Sequence, residues 1–516
     1  MAKAEAPVEQ KPTGFLERLG LLDSTMIVAG SMIGSGIFIV SADITRRVGS
    51  PGLLLLVWVI TGLLTIAAAL SYAELAAMMP RAGGVYVYLR EAYSPLWGFL
   101  YGWTFFLVVQ GGALAAVSVA FAVYFDVLVP DADMGTSWII APINLSADYA
   151  ISLSWQQLVA ILVLMTLTVI NLRGIRLVSL FQNAFTFTKT LSLAGLILVC
   201  IIGYNSDAIA QNFGDFWTPR GVSTIRPDFE FIPAVSAASG AFGLVVALAA
   251  AQVGSLFSSD GWYYITFTAG EVKNPRRNIP ISLVAGTVLV ITLYLLINLG
   301  YLITLPISEI QAADSDRVAT AAVTRLVGGV GAAVMAIAIM ISTFGTNIGT
   351  ILGGARVFYT MACDGLFFRS CGTLNSRRVP GVALILQCVW ASLLVLPRTR
   401  SRDEAGVYLT DAATGAERYG NLYGSLLDYV VTAILIFFVL TIIGVFVLRV
   451  KRPDAERPYK AWGYPVLPAL YVITASAIIV VLVIYKTQTT WPGLLIVMTG
   501  FPVYFLWRRI NRDKVA

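Results

Sequence analysis

The sequence predicts an all-α membrane protein of twelve spans in which two helices, the first and the sixth, are interrupted within the bilayer. Three observations carry this. Of 516 residues, 58% are hydrophobic and 12% are charged, where soluble domains approach a quarter charged; the mean hydropathy is +0.79. Apolar windows of about 20 residues, the length that crosses a bilayer, recur along the whole chain. Inside two of them, five spans apart, small polar residues break the apolar run: Gly34-Ser35-Gly36, and the stretch from Gly254 to Tyr264 that contains Asp260.

In order, the windows cover 24–47, 52–78, 95–127, 155–172, 178–204, 234–269, 280–305, 327–360, 381–397, 426–449, 464–485 and 491–508. The third, sixth and eighth are long enough to require tilting, a break or extension beyond the lipid. Trp491, Tyr504 and Trp507 sit near the ends of the last window, where amphipathic rings prefer the headgroup level. An even count places both termini on one side. The polar stretch Met1–Gly14 has no apolar core and no cleavage site, so no signal peptide is expected. Grouping the termini with the even-numbered loops collects Lys3, Lys11, Arg18, Arg81, Arg90, Arg173, Arg176, Lys273, Arg276, Arg277, Arg369, Arg377, Arg378, Lys451, Arg452, Arg457, Lys460 and the tail Arg508, Arg509, Arg512 and Lys514. The opposite face holds fewer basic residues, which makes the termini cytoplasmic. The net charge of +6 is thereby a topology signal, and no nucleic-acid partner is expected. The loops Asp131–Ser154, Asn205–Pro233 and Arg398–Ser425 fall outside, the last reading as a solvated insertion.

Glycine in a helix interior costs about 1 kcal/mol relative to alanine, and lipid cannot satisfy backbone groups that a break releases. Gly34-Ser35-Gly36 is therefore a deliberate opening. The amides that begin the second half-helix form an anion site at membrane depth, aided by the helix dipole. Asp260, in the second interruption, is a carboxylate in an apolar span; such groups face a cavity or a partner. It either lines the path of a ligand or braces the broken segment. Two interrupted helices in corresponding positions point to an inverted-repeat transporter, with spans 1–5 and 6–10 as the repeats and the site between them. The organisation is then 1–20 as a cytoplasmic tail, 21–205 and 206–450 as the repeats with the insertion 398–425 in the second, and 451–516 as the last two spans and tail.

Other chemistries have less support. The chain contains no histidine, which removes the commonest metal ligand and proton shuttle. Its four cysteines, Cys200, Cys363, Cys371 and Cys388, are scattered without metal or disulfide spacing. An enzyme would need a catalytic constellation that these residues do not supply, and no cofactor is expected. An ion channel or receptor would account for the spans but not for the paired breaks.

The ordered motifs Met32-Ile-Gly-Ser-Gly-Ile-Phe38, Gly49-Ser-Pro-Gly52, Ser71-Tyr-Ala-Glu-Leu75, Pro80-Arg-Ala-Gly-Gly-Val-Tyr-Val-Tyr88, Asp260-Gly-Trp262, Gly270-Glu-Val-Lys-Asn-Pro-Arg-Arg-Asn-Ile-Pro280 and Gly500-Phe-Pro-Val-Tyr504 resemble the L-type amino acid transporter family of the amino acid–polyamine–organocation superfamily. The resemblance runs from about residue 20 to 510. It implies a LeuT-like fold with a 5+5 inverted repeat, and sodium-independent amino acid transport at the plasma membrane. It also implies that Gly34, Ser35 and Gly36 hold the substrate carboxylate. Met32, Ile33, Phe257 and Asp260 would hold the amine, and Phe257 would act as the gating aromatic. Lys189, too deep in the fifth span to snorkel to either surface, would stand where sodium-coupled relatives bind their cation. A purely structural cation and a transported proton are the other readings of this lysine.

Weaker expectations concern Phe344 and Gly111, which would shape the side-chain pocket, and Glu271 to Arg277, which would form a gate with Arg81 or lie in a solvated loop. The functional expectation is an exchanger of neutral, and also of cationic, L-amino acids working by alternating access. A proton-coupled symporter and an amine or polyamine exchanger remain alternatives. The bilayer and the amino acid are the partners expected; nothing in the sequence identifies an accessory subunit.

Overall fold

A computed structural model describes residues 15, 17–129, 134–146, 149–225, 232–400, 408, 410, 417, 419–420 and 423–510. Residues 1–14 and 16 of the expected tail 1–20, and most of the insertion 398–425, lie outside the described residues. Two helices, α1 (Leu21–Met32) and α2 (Gly36–Val48), are bent by 41° at a break between them. They are followed by α3 (Pro51–Met78), the short α4 (Val85–Ala92), α5 (Pro95–Val127), α6 (Trp155–Leu172) and α7 (Ile175–Ile202). The second part of the chain holds α8 (Gly240–Ser258), α9 (Pro275–Thr304), α10 (Gly329–Cys363), α11 (Gly381–Val395), α12 (Tyr423–Lys451), α13 (Val466–Tyr485) and α14 (Thr487–Ile510).

Among the described residues, nine helices are long and apolar enough to cross a membrane, or ten if the bent pair counts as one span. The helices at the expected ninth and twelfth spans, α11 and α14, are outside that count, α11 because it has only 15 residues. Local chemistry sets several boundaries. Gly49 closes α2 in the left-handed region, and Ser50 then accepts a hydrogen bond from the Leu53 amide with Pro51 at the first helical position, the side-chain cap and preset φ that favour a new helix start. Ser154 and Gln157 cap α6 reciprocally.

The polarity of α7 is inverted relative to a soluble helix. Leu180, Leu191, Leu198 and Ile202 are exposed, while Gln182, Thr186 and Lys189 are fully buried. An exposed apolar stripe of this length suits lipid, and polar side chains turned inward hold neighbouring helices together. Behind that stripe α7 packs on α1, α9 and α10. Helix α9 packs on both α1 and α3, with the Tyr294 and Trp58 rings edge to face at 5.4 Å.

Two expectations change. The fold is mostly helical but not all-α: β1 (Trp138–Asn144), β2 (Tyr149–Ser154), β3 (Pro397–Arg400) and β4 (Tyr419–Gly420) form one antiparallel sheet in that order. Two stretches read as separate loops, Asp131–Ser154 and Arg398–Ser425, thus contribute to one structure. Strand β2 supplies the reason, since Ala150, Ser152 and Ser154 are buried and Tyr149 and Ile151 exposed, the period-2 pattern of a sheet with one covered face. On the covered face Arg398 donates to Ser154 Oγ at 3.1 Å and lies over the Trp138 ring; burial pushes its guanidinium down to about 10. The second change concerns the sixth span. Expected over 234–269, it is a helix only over α8. Beyond Ser258 the chain is irregular until a single turn at Tyr264–Phe267 and a 3-10 turn at Ala269–Glu271.

Candidate functional site

The two interruptions touch. A Cβ on Gly36 would fall 2.1 Å from Ser258 Oγ and 3.0 Å from Ser258 Cα, and one on Gly261, whose φ is +91°, would fall 2.7 Å from the Ser31 carbonyl oxygen. Hydrogen is therefore the largest group tolerated at either crossing. The Tyr294 hydroxyl ties the same two segments, lying 2.9 Å from the Met32 carbonyl and 3.1 Å from the Ser258 carbonyl.

Between the segments is a cavity of about 40 Å³, above the roughly 10–15 Å³ that a single water needs. Met32, Gly34, Ser35 and Gly36 line one side; Phe257, Ser258, Asp260 and Gly261 line the other. Its poles are chemically distinct. Helix α2 starts here, and the first-turn N–H groups of a helix have no intrahelical acceptor and carry the positive end of its dipole. Opposite, Asp260 is half-buried, and its Oδ1 has no hydrogen-bond partner within the protein. A second cavity of about 20 Å³, walled by α3, α12 and α13, shares Asp260 with the first.

Lys189 is fully buried. Its ammonium donates to the Gly30 carbonyl, to the Ile33 carbonyl at 2.8 Å and to Thr346 Oγ1 at 3.1 Å, so one cation joins α7, the end of α1 and α10. The Ile33 carbonyl, an expected amine ligand, also lies 2.6 Å from Thr346 Oγ1 and 3.0 Å from Ser342 Oγ, and Ile33 does not line the cavity. The Phe257 carbonyl accepts from the Asp260 amide at 3.1 Å, while the ring of Phe257 lines the cavity.

Gly111 and Phe344, expected to shape the side-chain pocket, do not line this cavity. Gly111 faces α11, where a Cβ would meet Trp390 at 2.6 Å, and the Phe344 ring packs at a tilt against Phe185 and Phe121 at 5.3 and 6.3 Å. Their helices reach the cavity through Ala113 and Val117, and through Thr346 and Thr350. The sequence reading missed Gln110. It ends a π-helical stretch in α5, Phe105–Gln110, accepts from the cavity-lining Tyr264 hydroxyl at 2.8 Å, and donates to the Thr350 carbonyl at 2.9 Å and to Gln387 at 3.1 Å. An amide in an otherwise apolar span was the available signal, and π-turns concentrate at functional sites.

Glu271 pairs with Arg356, not with Arg81, which is exposed. The pair closes at 3.0 and 3.3 Å with both side chains 1% exposed. Across it runs the N-terminal segment, whose Arg18 and Leu19 amides donate to the Glu271 carbonyl at 2.9 Å, while Phe15 packs edge to face on Tyr359. Removing one partner of a buried pair leaves an uncompensated charge and costs about 3–5 kcal/mol, whereas replacing both is far milder. Arg356→Gln is expected to lower the melting temperature strongly, and adding Glu271→Gln is expected to restore most of the loss. A double variant no more stable than the single one, by thermal unfolding in detergent, would remove the pair from this account.

Residues 19–505 match the model of the amino acid permease family. The chain belongs to that family. The permease is 26% identical to b(0,+)-type amino acid transporter 1 of Mus musculus, covering 98% of this chain and 91% of the relative. It is 29% identical to large neutral amino acids transporter small subunit 2 of Homo sapiens, over 95% and 80% of the two chains. It is also similar to the serine/threonine exchanger SteT of Bacillus subtilis, at 26% identity over 95% and 97%. The relatives of this permease include the L-type group expected from its motifs, and they are transporters rather than enzymes.

Proposed function

We propose that this permease is a sodium-independent exchanger of neutral and cationic L-amino acids, binding its substrate between the two interrupted segments. The observation that carries the reading is the pair of opposite poles across one small cavity. The opening amides of α2 at Gly34, Ser35 and Gly36 suit a carboxylate, and Asp260 with the Met32 end of α1 suits an ammonium. Lys189 occupies, as a fixed cation, the junction at which a bound sodium would otherwise be needed. The tight cavity corresponds to a closed arrangement, which opens alternately to either side as the segments separate.

Topologically we place both termini in the cytoplasm of a plasma-membrane protein with twelve spans, α11 and α14 included, and spans 1–5 and 6–10 as inverted repeats. The charge distribution and the position of the two breaks support this. Counterflow in proteoliposomes tests the function: unlabelled amino acid loaded inside should accelerate uptake of labelled amino acid outside, with and without sodium. Uptake indifferent to internal amino acid would sink exchange and leave proton-coupled symport, which a pH gradient would then drive.

Asp260 favours cationic substrates as a second reading, extending to amines, because its Oδ1 is unpartnered beside the cavity. A charge-assisted hydrogen bond is about twice as strong as a neutral one. Asp260→Asn is therefore expected to weaken competition by lysine or arginine more than by leucine or serine. Equal losses for both groups would take selectivity away from this carboxylate.

A further inference from the structure

Gln182 lies two turns before Lys189 in α7. It is fully buried, and neither end of its amide has a hydrogen-bond partner within the protein. Unpaired buried polar atoms are uncommon and call for an explanation. Here the surrounding backbone makes room for the amide. A Cβ on Gly30 of α1 would fall 2.2 Å from Gln182 Nε2; one on Gly349 of α10 would fall 3.1 and 3.2 Å from Nε2 and Oε1 and 2.8 Å from Ser31 Oγ. Ser31 Oγ is itself buried and unpartnered, and Ser31 lines the substrate cavity. A donor, an acceptor and a hydroxyl thus gather at one junction of α1, α7 and α10.

The ligand follows from what those groups lack. Oε1 requires a donor and Nε2 an acceptor. A metal cation cannot satisfy Nε2, and an anion cannot satisfy Oε1. Water does both, and buried waters make about three hydrogen bonds. On the side towards the start of α1, Asn183 donates to Asp23 at 2.7 Å and leaves its own Oδ1 unpartnered, which continues the polar surface in that direction.

We propose that Gln182 and Ser31 bind an ordered water at this junction, adding a water-mediated contact between α1, α7 and α10 beside the direct bonds made by Lys189, Thr346 and Ser342. An exchangeable water lets Gln182 and Ser31 part without being stranded, since bridging waters are nearly as good as direct hydrogen bonds. The consequence for rate rests on the transport reading above; the water site itself does not.

Two measurements on the full chain in lipid nanodiscs are independent of transport. A cryo-EM map that resolves other ordered waters should show density within hydrogen-bond distance of both Gln182 amide ends and of Ser31 Oγ. Thermal unfolding of Gln182→Leu should show a lowered melting temperature, because the leucine discards water-mediated bonds. A map without that density, or a raised melting temperature as expected on relieving a dry orphaned amide, overturns the proposal. In counterflow, Gln182→Leu should slow exchange about tenfold with KM unchanged, and Gln182→Asn should recover most of the rate. An unaffected rate in Gln182→Leu, or Gln182→Asn as slow as Gln182→Leu, overturns the role in motion even where the water is seen.

Discussion

Lys189→Ala is expected to reduce exchange by at least about a hundredfold and to make what remains respond to sodium. The ammonium is the shared donor for the Gly30 and Ile33 carbonyls and Thr346 Oγ1. Hydrogen bonds to charged groups contribute about 1.5–3 kcal/mol each, and their loss is not additive within one network, so a total of about 3–5 kcal/mol is reasonable. A shift of about 2.8 kcal/mol already changes a population a hundredfold. Truncation leaves a pocket ringed by the Gly30 and Ile33 carbonyls, Thr346 Oγ1 and Ser342 Oγ, all oxygen donors able to hold a small hard cation. Sodium should then raise the melting temperature of Lys189→Ala and leave the unsubstituted protein unmoved. Counterflow and thermal unfolding, each with sodium or choline as the salt, read both effects. Normal exchange by Lys189→Ala would reduce the lysine to scaffolding; a sodium-blind variant would remove the idea that it stands in for a bound cation.

What the sequence made legible was what covalent order and local chemistry determine. Long apolar windows became helices, the glycines of 34–36 and the polar run around Asp260 became interruptions, and Lys189 was too deep to be anything but partnered. Contacts between distant segments were harder to read. Strand β2 pairs with β3 across nearly 250 positions, Tyr149 opposite Thr399, and neither strand is long enough to announce itself inside a loop. The charges from Glu271 to Arg277 were given a gate with Arg81 or nearby groups, or a solvated loop, whereas the buried arginine that meets Glu271 lies within a long apolar helix, at Arg356. Gly111 and Phe344 lie in helices that reach the cavity, but the residues lining it are Ala113, Val117, Thr346 and Thr350, and a shift of two residues turns a side chain by more than half a turn. The Ile33 carbonyl was given to the substrate amine by the resemblance; Lys189, Thr346 and Ser342, from two other helices, also lie within hydrogen-bond distance of it, and no local pattern gives their arrival.

The sharpest expectation at the breaks is a contrast between two glycines separated by one residue. Gly34→Ala should fold normally and bind less well, because its Cβ would meet nothing nearer than Thr346 at 3.8 Å and would take up space in a cavity of about 40 Å³. Gly36→Ala should fail earlier, at the fold. Rotating Ser258 could relieve the clash with its hydroxyl, but the 3.0 Å approach to Ser258 Cα is to backbone, so α2 and α8 would have to separate. Overpacking of this kind costs about 1–3 kcal/mol. It acts where Tyr294 spans the same two segments, so the strain is passed to the Met32 and Ser258 carbonyls as well. Gly36→Ala should therefore lower the melting temperature and the rate of exchange together, while Gly34→Ala should raise KM at nearly unchanged stability. If the two variants exchanged these phenotypes, Gly34 would be the packing position and Gly36 the ligand position. If both kept full affinity, the carboxylate pole would have to be sought elsewhere than at the opening of α2.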